Sequence, residues 1–92
     1  MPKKYPLLTI KEFEEILFTF PVKEKNIKGG HVHLTIICQD NIERTITYQT
    51  HEDPVPLYVV QNTIKQLKVS DKDFYSRSKK AARKKNVRFK KQ

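Results

Sequence analysis

The sequence has one cysteine, two glycines and no tryptophan. Cys38 alone can neither close an intramolecular disulfide nor build a metal site, so a disulfide scaffold and a cysteine-based zinc module are both excluded. No apolar run approaches the roughly 18 residues of a membrane span. Met1-Pro2-Lys3-Lys4-Tyr5-Pro6 lacks the continuous apolar stretch of a signal peptide. The expected setting is therefore a reducing cytoplasm, with no membrane partner. Acid is missing from one end: from Arg77 to Gln92 there are nine Lys and Arg and no Asp or Glu. Nineteen basic residues less these nine leave ten in residues 1–76, where all ten acids also lie. The net charge of +9 thus belongs to the tail, and the tail implies an anionic partner.

The residues that are present suit one small domain with a thin core: 37% are hydrophobic and 32% charged, a globular mixture rather than a disordered one. Thr9-Ile10-Lys11-Glu12 fits a capping box. Ile10, Phe13, Ile16, Leu17 and Phe20 then recur at helical spacing, which predicts a helix over about 10–19, stopped by Pro21. Val22 to Lys28 alternates weakly and reads as a first strand. Gly29-Gly30 permits a sharp turn, and the β-branched alternation after it predicts a second strand over about 31–38. Gln39-Asp40-Asn41 has turn chemistry, and a third strand is expected from Ile42 to Gln49. Arg44 interrupts its apolar set of Ile42, Ile46 and Tyr48, a position suited to a sheet edge or a snorkelling side chain.

Pro56 is a good first-turn residue for a second helix with Leu57, Val60, Ile64 and Leu67 as its buried stripe. Ser70-Asp71-Lys72-Asp73 offers another capping-box-like start, for a short helix docking Phe74, with Tyr75 a candidate beside it. The expected class is α+β, α-β-β-β-α, with a three-stranded antiparallel sheet under helices on one face. The domain is expected over 1–76, and 77–92 as a basic tail, either disordered or a helical extension.

In the second strand, Val32, Leu34, Ile36 and Cys38 share the core side, and His31, His33, Thr35 and Ile37 the open side. Cleavage of RNA by attack of its own 2′-OH on the adjacent phosphate needs a base, and a neutral imidazole, with an ordinary pKa near 6.5, serves at neutral pH without a metal or cofactor. His31, next to the glycine turn, is the candidate for that role. Backbone N–H groups of Gly30 and His31 and the charge of Lys28 are suited to a phosphate. His33 reads more simply as an exposed sheet residue and His51 as a structural one. A zinc site from His31, His33 and His51 lacks an obvious fourth ligand. Lys79, Lys80, Arg83, Lys84, Lys85 and Arg88 are the candidates for sequence-independent phosphate contact.

Taken in order, these features resemble the HicA-type toxins, a family of small ribonucleases. The resemblance lies in the leading amphipathic helix, then Gly29-Gly30-His31 as a Gly-Ser-His-like element. Arg44-Thr45-Ile46-Thr47, the strand-end His51, the helix from Pro56 through Ile64-Lys65-Gln66-Leu67 and the closing Val69-Ser70-Asp71-Lys72-Asp73-Phe74 follow. It covers roughly residues 7–75 and departs from the pattern at Gly30, where Ser is usual. It implies a double-stranded-RNA-binding-domain-like fold and an mRNA endoribonuclease of a toxin–antitoxin pair. It also implies catalysis at His31, RNA contact around Lys28, Gly29, Gly30 and His33, and restraint by a HicB-like antitoxin protein covering the sheet. Two other readings stand beside it: a noncatalytic RNA- or DNA-binding module on the same fold, and a protein-interaction accessory protein acting through its basic tail.

Overall fold

The computed structural model describes residues 6–90, so Met1 to Tyr5 and Lys91-Gln92, including the segment judged against a signal peptide, lie outside it. Its elements are α1 (Ile10–Leu17), β1 (Val22–Lys28), β2 (His31–Ile37), β3 (Glu43–Gln49), α2 (Leu57–Leu67), α3 (Asp71–Ser76) and α4 (Lys79–Lys85). The class is α+β, with one antiparallel sheet in the order β1-β2-β3. Among the described residues no helix is long and apolar enough to cross a membrane.

Local chemistry sets each helix end. Thr9 and Glu12 form the reciprocal capping box: the Glu12 N–H donates to Thr9 Oγ1 at 3.1 Å, and the Thr9 N–H to Glu12 Oε1 at 3.0 Å. α1 ends two residues short of expectation, because the Thr19 and Phe20 N–H groups donate to the carbonyls three residues back, of Ile16 and Leu17. α2 follows Pro56 and stops at Lys68, whose φ of 61° is left-handed. Ser70 Oγ accepts from the Asp73 N–H at 3.1 Å, while the Asp73 carboxylate reaches onward to Arg77 at 3.3 Å.

One core lies between the helices and the inner face of the sheet. Val32, Leu34, Ile36 and Cys38 supply the sheet side, with Ile46 and Tyr48 from β3. Phe13, Ile16, Leu17, Val60, Ile64, Leu67, Phe74 and Tyr75 supply the helical side. Phe13 stands edge-on to Tyr48 with ring centroids 5.2 Å apart, and Phe74 edge-on to Tyr75 at 5.6 Å. Fully burying each large apolar side chain contributes about 1.5–3 kcal/mol, so a set of this size suffices for a small domain.

Two expected core residues lie outside it. Ile42 is 53% exposed, because the turn Cys38–Asn41 extends to it: Asn41 has φ 64° and Asp40 Oδ1 accepts from the Ile42 N–H. Leu57 is 38% exposed in the first turn of α2, and Thr63 takes the fourth buried position, its hydroxyl donating to the Val59 carbonyl at 2.7 Å. Arg44 sits on the inner face of the edge strand β3 and finds a partner there. Its guanidinium grips both oxygens of Asp40 at 2.8 and 2.9 Å and donates to the Gln66 carbonyl at 3.0 Å. It joins the β2–β3 turn to the end of α2.

The basic segment after Ser76 contains α4, so of the two states open to it the structure adopts the helical one over Lys79–Lys85. It is also built into the core. Ala81 and Ala82 are buried, Arg77 lies over the Phe20 ring at 3.9 Å, and Ser78 caps α4. Lys84 reaches the buried Glu12 at 2.7 Å, and Val87 packs against the core.

Candidate functional site

Lys28-Gly29-Gly30-His31 is a two-residue hairpin turn. Gly29 has φ 57° and Gly30 φ 83°. Positive φ at both central residues is the mirror-image turn whose twist matches that of the strands, and it favours glycine. The turn thereby pairs Lys28 with His31 and fixes the register of the whole sheet.

That register lays three rows across the open face. Lys28, His31 and Gln49 form the first, Asn26, His33 and Thr47 the second, and Glu24, Thr35 and Thr45 the third. The face is polar, and β2 in its centre holds both histidines half-buried between their neighbours. His33 is engaged: its Nδ1 lies 3.0 Å from Thr47 Oγ1, which fixes the ring plane. The His31 ring makes no hydrogen bond with the other described residues. Neither ring nitrogen is engaged by another described residue.

His51 stands against the same turn. The Thr50 N–H and hydroxyl both donate to the Gly30 carbonyl, at 3.0 and 3.2 Å, and carry the chain past the end of β3. A Cβ on Gly30 would lie 3.6 Å from His51 Nδ1, an ordinary contact. The structure thus brings Lys28, Gly29, Gly30, His31 and His51 together at one end of the sheet, with His33 in the next row. Among the described residues no three His, Cys, Asp or Glu side chains converge as a metal site would require.

The expected phosphate contacts of the basic segment divide into two groups. Lys79, Lys80, Arg83 and Arg88 are exposed. Lys84 is not free for a phosphate, because its ammonium is held by Glu12 and by the Leu7 carbonyl at 3.1 Å. Lys85 is half-buried with its Nζ 5.4 Å from the centre of the Tyr75 ring. Sequence reading could not separate these residues, since each is one more cation in an acid-free run. Burial alone would raise the Glu12 carboxyl, but the Lys84 and Thr9 hydrogen bonds outweigh it and hold the group below its ordinary value.

Contacts also link α4, through the start of α1, to the loop that carries His51. Lys84 bonds Glu12 at the start of α1, and the Ile10 N–H there donates to Asp53 Oδ1 at 3.2 Å. Asp53 lies two residues beyond His51 in the loop that leaves Gly30. The basic helix is therefore anchored to the end of α1 that the His51 loop also touches. Comparison with protein-family models, characterised proteins and solved structures gives no match to this chain.

Proposed function

We propose that this protein is a metal-independent endoribonuclease of mRNA, a HicA-like toxin on a double-stranded-RNA-binding-domain-like fold, acting in the cytoplasm under the restraint of a HicB-like antitoxin. The observation that supports it is the unengaged His31 imidazole beside a glycine turn on an open polar sheet face. His31 takes the proton of a 2′-OH as that oxygen attacks the adjacent phosphorus. The P–O5′ bond breaks, leaving a 2′,3′-cyclic phosphate and a 5′-hydroxyl strand, with water or a second acid supplying the leaving oxygen's proton. Lys28 offsets the phosphate charge. The cations of α4, above all Lys79, Lys80 and Arg83, hold the strand by its backbone, which a neutral domain body would not attract.

A noncatalytic RNA-binding module is the competing reading. It is favoured by the hairpin geometry, which accounts for both glycines with no reference to phosphate, and by the absence of a hydroxyl at position 30.

The test is incubation of purified protein with a labelled structured RNA in chelator, beside His31→Ala and a variant with Lys79, Lys80 and Arg83 changed to Gln. Wild type is expected to give cyclic-phosphate ends and His31→Ala none, with an unchanged circular dichroism spectrum. An intact RNA that nevertheless shifts on a gel with wild type and His31→Ala alike establishes the binding module instead.

A further inference from the structure

A cleft of about 380 Å³ separates α3 from the segment that follows α4. Its lining is Ser70, Lys72, Asp73 and Ser76 on one side and Arg88 and Lys90 on the other. The Lys90 N–H donates to the Ser76 carbonyl at 2.8 Å, and the Val87 N–H to the Ala82 carbonyl at 2.9 Å, so the far wall is fixed to the domain at both ends. Three cationic side chains thus border one cavity against a single carboxylate.

That carboxylate is already engaged. Asp73 faces Arg77 at 3.3 Å, and Arg77 is itself packed over Phe20. The side chains of Lys72 and Arg88, by contrast, make no ion pair or hydrogen bond with other described residues. Ser70 Oγ accepts from the Asp73 N–H, so its own proton remains to be donated. Arg88, Lys72 and the Ser70 hydroxyl border this cleft with the donors that a tetrahedral oxyanion with several acceptor oxygens takes up.

We infer that this cleft binds a phosphoryl group, with Arg88 and Lys72 as its principal contacts. The site stands apart from His31. Ser70 follows Leu67 by three residues, and the Leu67 carbonyl accepts from the Gln39 N–H beyond the far end of β2. The seven-residue strand β2 separates that end from His31, about 20 Å by strand rise. The same group can arrive as a free nucleotide or as a phosphate of an RNA strand.

The test follows backbone amide resonances of the full chain during titration with inorganic phosphate, with adenosine monophosphate, and with a short RNA lacking terminal phosphates. Saturable shifts confined to residues 70–76 and 87–90 are expected with at least one phosphate-bearing probe. Lys72→Gln/Arg88→Gln, whose positions are exposed, should weaken that binding at least tenfold, and Lys11→Gln on α1 should leave it unchanged. Saturation by phosphate and the monophosphate identifies a small-molecule site; saturation by the RNA alone identifies a backbone contact. Shifts scattered over every exposed lysine, no saturation at millimolar probe, or a double variant that binds like wild type would each overturn the inference.

Discussion

At the scale of single residues, the glycine turn and the Glu12–Lys84 pair carry the clearest consequences. Gly29 at φ 57° lies where asparagine is also at home, whereas Gly30 at φ 83° meets no obstruction but adopts a backbone that L side chains avoid. Gly29→Asn is expected to leave urea stability within a few tenths of a kcal/mol, and Gly30→Ala to lower it by about 1–2 kcal/mol. Lys84→Ala strands a carboxylate that is 5% exposed, and should cost about 1–2 kcal/mol in the same measurement. Because the folded-state value of Glu12 is depressed, its contribution is complete above the ordinary value of 4.5 and disappears as pH falls through the lower folded value. The difference in stability between wild type and Lys84→Ala should therefore shrink on acidification below about pH 4.5. The Asp40 carboxyl, held at about 2 chiefly by the Arg44 guanidinium, stays ionised through that range and keeps the β2–β3 turn on α2.

Among the elements, α4 does two jobs with its two faces. Its inner face, Ala81 and Ala82 with Lys84 beside them, closes the core, and its outer face presents Lys79, Lys80 and Arg83 to solvent. Ending the chain at Ser76 removes the Arg77 cover of Phe20 and the partner of Glu12 together. Thermal melting of that truncation is expected to show a loss of about 3 kcal/mol or more. Changing Lys79, Lys80 and Arg83 to Gln should instead leave the melting temperature within a few degrees and act on nucleic-acid binding alone. The contrast matters for any experiment on the basic segment: deletion confounds charge with folding, and neutralisation does not. β1 shows the opposite economy. Ile27 on its inner side is 63% exposed, so the helical layer leaves the turn end of β1 uncovered, although Lys25 lies 5.5 Å from the centre of the Phe18 ring. Charged side chains along β1 keep that edge from pairing with another sheet.

Across the whole molecule, a net charge of +9 on 92 residues means that the proposed RNA binding should depend strongly on salt. For a single-stranded RNA, the triple Lys79/Lys80/Arg83→Gln variant is expected to reduce the slope of log K against log salt by about 2, at roughly 0.7 per lost phosphate contact. Fluorescence anisotropy at several salt concentrations reads this directly. Equal slopes for wild type and variant would remove α4 from the interface.

The sequence by itself determined the elements whose signals are local. Thr9 and Glu12 capped α1, Gly29-Gly30 set the hairpin, and alternation in β2 assigned Val32, Leu34 and Ile36 to the core and His31 and His33 to the open face. Caps, turns and strand alternation are decided within a few residues, so one chain suffices to read them. Tertiary structure alone decided the fate of the charges. Arg44 found Asp40 and the Gln66 carbonyl, and Tyr48, whose hydroxyl is pushed upward by burial and by its bond to Glu14, found a helix 34 residues away. Lys84 found Glu12 across 72 residues, while Arg88 was left facing a cleft. Identical cations in one run acquire different roles because their partners lie far along the chain, and only packing of the helices on the sheet brings those partners within reach.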